Sequence, residues 1–194
     1  MKAIKYVLYL VLAIGIAASA YFLYNTIGTP INERKAFNQR SEEVKAKLEN
    51  IAEAQKAYYD VHGEYAGDFT SLKNTILTGE RMELMAIGDP YDTTVIMRID
   101  TLYVPVKDKV DFDEGFDVNT MNLIPHSSDD FRIVEKKKIM NEIEVSVFEV
   151  SVRNEQWLTD LMEKGYTFDY DKSILKDSLM VGSLSKQIST GNWQ

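Results

Sequence analysis

The uncharged stretch from Tyr6 to Thr29 limits what this chain can fold into more than any other feature of the sequence. Its densest part, Tyr6–Tyr24, is apolar except for Ser19. About 20 helical residues, each rising about 1.5 Å, cross the roughly 30 Å hydrocarbon layer of a bilayer. A single segment in lipid must satisfy its own backbone hydrogen bonds, and only a helix does so. Residues 6–27 are therefore predicted to form one transmembrane helix.

The residues that flank this stretch predict its orientation. Lys2 and Lys5 precede it, and positive charge is retained on the cytoplasmic side, so residues 1–5 should be cytoplasmic and the remainder outside. A cleaved signal peptide is the alternative, because the Ala-Ser-Ala sequence at Ala18–Ala20 fits the small-residue cleavage rule. The apolar run continues past that point to Tyr24, which favours a retained anchor.

Small side chains in the apolar stretch are a candidate contact with other membrane subunits. Small residues four apart let transmembrane helices pack closely, although such residues are also common in membrane helices generally. The residues with this spacing are Ala13, Gly15, Ala17 and Ser19.

A long amphipathic helix is predicted to follow over residues 28–65, as a stalk. The Gly-Thr-Pro sequence at Gly28–Pro30 interrupts the pattern, so either Thr29 caps a new helix or a kinked helix continues. The helix should end near His62, with Gly63 as a left-handed cap.

The stalk has a heptad seam with alternating spacings of four and three residues, which is typical of helix packing. The seam consists of Phe37, Ser41, Val44, Leu48, Ile51, Gln55 and Tyr58. Two interpretations remain open: it packs along the chain's own domain, or it packs against helices of other subunits. We favour the domain for its second half and leave the first half open to a partner.

The remaining residues, 66–194, predict one α+β head domain on the far side of the membrane. They hold 14 Lys and Arg against 23 Asp and Glu, a net charge of −9. Such an acidic surface argues against nucleic acid as a partner. The chain has no cysteine, so it has no disulfide and no thiolate chemistry.

The head shows several strand and helix signals, from which we expect a mostly antiparallel sheet. Strands are predicted at Thr93–Ile99, Leu102–Val106, Asp130–Glu135, Glu142–Arg153, Tyr166–Tyr170 and Leu179–Leu184, and a short helix at Asp68–Leu77. The apolar phase of Glu142–Arg153 flips between Val147 and Phe148, which predicts a β-bulge or two short strands. Asn154 is predicted to cap a helix that Gly165 closes.

One part of the chain resembles a known family. The matching residues are Ala54, Gln55, Ala57, Tyr58 and Tyr59 at a helix end, then Gly63, Tyr65 and Leu72, and the turn Asp89-Pro90-Tyr91. Leu48–Leu72 is similar to the region of type IV pilins and type II secretion pseudopilins where the long N-terminal helix meets the head. The resemblance implies a pilin-like head whose antiparallel sheet packs on that helix. The prepilin cleavage motif and the membrane glutamate of that family are missing, so it implies an uncleaved, anchored relative in a Gram-negative envelope.

Catalytic and metal-binding patterns are weak. His126–Asp130 contains the letters of a Ser-His-Asp triad, but adjacent loop residues cannot align in that way. The acidic run Asp108–Asp117 fails the spacing of a calcium-binding EF-hand and is interpreted as a solvated loop. We therefore predict no enzyme activity, no catalytic residue, no cofactor and no metal.

The features together predict a non-enzymatic, single-pass inner-membrane subunit of an envelope-spanning complex. It would be an accessory subunit of an ion-driven motor, transport or secretion machine with a pilin-like periplasmic domain. Its partners would be the bilayer and inner-membrane subunits, bound through the transmembrane and stalk helices, and no small-molecule substrate is expected. The alternatives are a true pseudopilin of a filament, a periplasmic ligand-binding module, or an anchored hydrolase that uses His126 or the acidic run.

Overall fold

A computed structural model describes residues 2–87, 98–168, 171 and 173–194. The chain is α+β, with a long apolar N-terminal helix and two small antiparallel sheets. The helices are α1 Lys2–Leu23, α2 Thr29–His62, α3 Phe69–Thr78 and α4 Asn154–Glu163. The strands are β1 Glu80–Ile87, β2 Arg98–Pro105, β3 Arg132–Met140, β4 Ile143–Arg153 and β5 Ser178–Gly182. The turn predicted at Asp89-Pro90-Tyr91 and most of the strand predicted at Thr93–Ile99 lie outside the described residues.

α1 and α2 form one continuous helix, joined by a π-helical turn at Tyr24–Gly28. Thr29 has right-handed helical angles and donates its N–H to the carbonyl of Tyr24, so it does not cap a new helix. Pro30 lacks an N–H, and its ring crowds the carbonyl four residues before it, which the wider turn accommodates. The continuous-helix alternative is therefore the correct one.

The C-terminal end of α2 is as predicted. Gly63 has φ of 73°, the left-handed region that favours glycine, and its N–H donates to the carbonyl of Tyr59. The chain then turns back, and Asp68 caps α3 by accepting the N–H of Ser71 at 2.8 Å.

The two sheets differ from the single sheet expected. β1 and β2 form a two-stranded ribbon whose register runs from Glu80↔Pro105 to Ile87↔Arg98. β3, β4 and β5 form the other sheet, in that order. Sequence reasoning did not predict β1, because Glu, Met and Leu are good helix formers. It also divided β2, since Ile99 and Leu102 belong to one strand.

The β-bulge predicted in β4 is absent. Pairing with β3 runs without interruption from Arg132↔Ser151 to Met140↔Ile143. Phe148 faces the core, whereas Val147 is also buried but points to the opposite face of the sheet. Ile143, near the hairpin tip, is 65% exposed. The phase therefore flips because the buried face changes along a regular strand.

The region around α4 corrects two predictions. Asn154 does not cap the helix, because its Nδ2 donates to the carbonyl of Ile174 at 2.8 Å. The described part of the strand predicted at Tyr166–Tyr170, residues 166–168, is not a strand. Phe168 has φ of 52°, which a strand residue does not adopt. The inward residues of α4 are as predicted: Trp157, Leu158 and Leu161 are buried and Met162 is half-buried.

One hydrophobic core joins α2 to the head. Its centre lies between α2, the sheet of β3, β4 and β5, and the helices α3 and α4. Tyr65, just past the end of α2, packs against Phe148 of β4 with ring centroids 4.5 Å apart and the rings tilted by 48°. The second half of the long helix is therefore the central element of the head, rather than a stalk that carries the head at a distance.

Candidate functional site

The apolar half of the long helix has no cover within the described chain. One helix there, Ile4–His62, is long and apolar enough to cross a membrane. None of its most apolar 18-residue window is buried, and Leu12 and Tyr21 are 61% and 71% exposed. The four small residues predicted to pack against other membrane helices, Ala13, Gly15, Ala17 and Ser19, are all exposed. This surface is suited to contact lipid or other membrane helices.

The heptad seam, by contrast, is covered by the head of the same chain. Its residues Val44, Leu48, Ile51 and Gln55 are fully buried. The head also covers the first half, because the ring of Phe37 lies 5.1 Å from that of Trp157. The two remaining seam residues are covered as well, since Ser41 is buried and Tyr58 packs against the core. Packing along the chain's own domain therefore describes both halves of the seam, including the first half, for which a partner had been left open.

Gln55, a polar member of the seam, fixes the turn that follows the helix. Its Nε2 donates to the carbonyl of Ala66, and its Oε1 accepts the N–H of Ala66, each at 2.9 Å. Both residues are buried, so these two bonds satisfy backbone groups that water does not reach. The heptad spacing places Gln55 on the seam, but it does not predict that the side chain bonds to the backbone of Ala66.

Two charged residues fasten the first turns of α2 to the head. Glu33 is buried and accepts the N–H of Thr167 at 2.9 Å. Arg40 holds Asp160 in a two-pronged pair, with Nη1–Oδ1 and Nη2–Oδ2 distances of 2.5 and 2.7 Å. Hydrogen bonding to the Arg40 guanidinium holds the pKa of the Asp160 carboxyl below its ordinary value. Head contacts therefore begin about 6 Å along the helix from Thr29.

The acidic loop is partly tied to protein groups. Asn50 on α2 donates its Nδ2 to the Asp113 carboxylate at 2.7 Å and accepts the Asp113 N–H at 2.9 Å. Asp117 accepts the N–H of Asn119, and this bond lowers the pKa of its carboxyl. Within the described residues, no three His, Cys, Asp or Glu side chains are grouped so that they could hold a metal ion.

The two histidines contact different side chains. Neither contact brings together the nucleophile, base and orienting group that a catalytic triad requires. His126 Nε2 lies 2.5 Å from Glu43 Oε2 on α2, whereas Ser127 Oγ accepts the N–H of Asp129. His62 Nε2 lies 3.0 Å from Thr75 Oγ1. The triad letters at His126–Asp130 are therefore not brought into line, and His126 instead links its loop to the long helix.

Sequence reasoning missed one apolar surface on the β1–β2 ribbon, which we call the ribbon face. Its large side chains are all exposed: Met82 58%, Leu84 66%, Ile99 68% and Tyr103 62%. The signal in the sequence was the alternation of Met82 and Leu84 with Arg81 and Glu83, which is typical of a strand with one apolar face.

Comparisons with known proteins leave the family open. No family model matches this sequence, and no curated protein or solved structure matches it significantly. Nothing in these comparisons identifies the chain as a pilin or pseudopilin.

Proposed function

We propose that this chain is a non-enzymatic, single-pass subunit of a protein complex in a Gram-negative inner membrane, with its head in the periplasm. The observation that carries the proposal is that the two parts of one continuous helix have different surroundings. Its first part has an apolar surface with no partner in the described chain, and its second part is the centre of the head. Such a helix couples a membrane-embedded contact rigidly to a folded domain outside.

The charges at the start of the chain support the orientation. Lys2 and Lys5 favour a cytoplasmic N-terminus. The hydrogen bond between Glu33 and Thr167 supports a head whose base lies close to the bilayer surface, because only one helical turn separates Glu33 from Thr29. The partners would then be other inner-membrane subunits, which meet the transmembrane helix or the outward side of α2.

The role of an accessory subunit in a motor, transport or secretion machine is the finer part of the proposal. The packing of a long N-terminal helix on an antiparallel sheet supports a pilin-like head. The absence of a membrane glutamate between Tyr6 and Thr29 favours an accessory subunit over a filament-forming pseudopilin.

Topology is tested with single cysteines, because the natural chain contains none. Lys164→Cys places a thiol on the head, at a side chain that is 66% exposed, and Lys5→Cys is the matched control before the span. A membrane-impermeant maleimide should label only Lys164→Cys in intact spheroplasts and both variants after the membrane is opened. Labelling of Lys5→Cys in intact spheroplasts, or release of the chain from the membrane by alkaline carbonate, contradicts the proposal.

Partners are tested with a photoreactive amino acid in place of Ala17 in the span or of Ile31, which is 61% exposed on α2. Discrete adducts with another inner-membrane protein are expected from at least one site. The control is Ile188 in the C-terminal tail, which is 44% exposed. Adducts with lipid alone from both sites, in cells at native expression, count against a complex.

A further inference from the structure

We propose that a cleft near the base of the head binds an extended apolar peptide segment of a partner subunit, through the N–H and the C=O of one residue of that segment. The inference rests on the proposed function in one respect, since the membrane complex supplies the partner. Two buried polar atoms face this role: Asn154 Oδ1 and Trp157 Nε1 have no hydrogen-bond partner within the described residues.

The two atoms belong to neighbouring side chains of α4. Asn154 and Trp157 are three residues apart, so they lie on one face of the helix, and they are 3% and 0% exposed. Asn154 donates its Nδ2 to the carbonyl of Ile174 at 2.8 Å, which leaves its Oδ1 as an acceptor. The indole N–H of Trp157 is a donor and cannot accept. A buried polar atom without a partner is destabilising, so this pair favours a ligand that donates to one atom and accepts from the other.

A cleft of about 580 Å³ lies beside this pair. Its lining includes Asn154 and Ser41 together with four apolar side chains, Phe37, Ile174, Leu179 and Trp193. Phe37 also packs against Trp157, with ring centroids 5.1 Å apart, so the indole is adjacent to the cleft. The volume is far larger than the roughly 30 Å³ that one water molecule occupies. The apolar walls suit an apolar side chain of the ligand, and the two polar atoms suit its backbone.

The chemistry of the two atoms selects a peptide backbone as the ligand. A purely apolar partner leaves both atoms unsatisfied, a carboxylate has no donor for Asn154, and an ammonium has no acceptor for Trp157. One residue of an extended chain presents its N–H and its C=O on the same side, as in a hydrogen-bonded pair of a sheet. Gln55 already binds Ala66 in this way inside the head, through one acceptor and one donor at 2.9 Å each. Water and alcohols also donate and accept, so they are outcomes of the test.

The position of the cleft indicates where the peptide comes from. Phe37 lies eight residues after Thr29 on α2, so the cleft begins about 12 Å along the helix from Thr29. A segment that follows the transmembrane helix of a neighbouring subunit reaches this height above the bilayer. The ligand is therefore the extended segment just outside the membrane in another inner-membrane subunit.

The experiment uses the full chain in detergent with Trp193→Phe, which keeps an aromatic wall. The sequence has two tryptophans, so this variant leaves Trp157 as the sole reporter. The probe is N-acetyl-leucine methylamide, a single apolar residue with a peptide group on each side. Fluorescence titration should give a saturable change. Ultraviolet resonance Raman spectra should show the Trp157 N–H without a hydrogen bond in the free protein and with one when the probe is bound.

Two matched changes test the two hydrogen bonds separately. In the ester analogue of the probe, an oxygen replaces the leucine N–H while the side chain stays the same, which controls for uptake into the micelle. It should bind at least about tenfold more weakly, because Asn154 Oδ1 then faces an oxygen. Trp157→Phe, followed through Trp193, removes the indole N–H and should weaken binding of the amide probe by about tenfold. Urea unfolding checks that this variant folds, and the ester comparison stands without it.

The outcomes separate this inference from the proposed function. Equal affinity for the amide and the ester, or saturation without a change at the Trp157 N–H, overturns the peptide site. A Trp157 N–H that is already hydrogen-bonded in the free protein identifies water as the occupant and also overturns it. So does 3-methyl-1-butanol binding as tightly as the amide probe, since an alcohol then suffices. Failure of the proposed function is seen separately, as loss of the chain from the membrane fraction.

Discussion

Replacing Gln55 by glutamate changes one buried hydrogen bond without changing the shape of the side chain. Gln55 is fully buried and makes two bonds of 2.9 Å to the N–H and carbonyl of Ala66. In Gln55→Glu, one carboxyl oxygen still accepts the N–H. The other oxygen faces the carbonyl, where a protonated carboxyl donates its O–H but an ionised one meets an acceptor. The variant should therefore be tolerated only when it is protonated.

The size of the stability loss in Gln55→Glu follows from the burial of the new carboxyl group. An unfolded glutamate has a pKa of about 4.3, and burial of this kind raises the pKa of the folded state by about 3 units. Below about pH 4.3 the new carboxyl is protonated in both states, so the variant is close to the wild type. As the pH rises above that value, the free energy of unfolding of the variant falls relative to the wild type by about 1.4 kcal/mol per pH unit. The loss levels off at about 4 kcal/mol once the pH passes the raised folded pKa.

The assay is urea unfolding of the detergent-solubilised full chain, followed by tryptophan fluorescence at about pH 4 and about pH 8, with each variant compared with the wild type at the same pH. Gln39→Glu makes the same chemical change at an exposed position of α2 and should stay within about 0.5 kcal/mol of the wild type at both pH values. An equal loss for Gln55→Glu at both pH values, or no loss at either, refutes the reasoning about the Ala66 bonds.

Two further changes probe the contacts of α2. Arg40→Leu should cost about 1 kcal/mol at neutral pH by urea unfolding, a value reduced by the partial exposure of the pair. In the wild type, the pair stabilises the fold above the unfolded aspartate pKa of about 3.9. This contribution is lost as the pH falls through the lowered folded pKa of Asp160. The free energy of unfolding of Arg40→Leu should therefore fall less steeply with acid than that of the wild type. Leu48→Ala should cost about 2–5 kcal/mol in the same assay, because Leu48 is fully buried, and a loss within 0.5 kcal/mol would contradict its place in the core.

Local sequence signals predicted the elements whose structure depends on neighbours along the chain. The apolar run and the heptad spacing predicted the long helix, and Gly63 predicted its end because only a residue that tolerates positive φ closes a helix in that way. The alternation in Glu142–Arg153 likewise predicted β4 to within one residue. The two options at Pro30 stayed open, because a helix start and a proline after a widened turn have the same sequence pattern.

Tertiary contacts decided what the sequence left undetermined. Asn154 has the right chemistry for a helix cap, but the carbonyl of Ile174, 20 residues further on, takes its side-chain N–H instead. The first half of the seam looked equally suited to a partner or to the head, since apolar spacing does not state which surface covers it. The β-bulge was wrongly predicted because the alternation rule assumes that one face of a strand stays buried throughout, and β4 exchanges its buried face near Val147.

Glu33 gives a final prediction about how the head is held at the membrane. It is buried, and its carboxylate accepts the N–H of Thr167 about one helical turn beyond Thr29. Glu33→Ala leaves that N–H without its partner, at a local cost of about 1–3 kcal/mol, whereas Glu33→Gln keeps an acceptor. Hydrogen exchange in detergent should therefore speed up at Thr167 by about tenfold or more in Glu33→Ala but little in Glu33→Gln, with Val150 in the core unchanged. Faster exchange at Val150 as well would mean that Glu33 stabilises the whole head, and unchanged exchange at Thr167 would mean that the head is held to the first turns of α2 by other contacts.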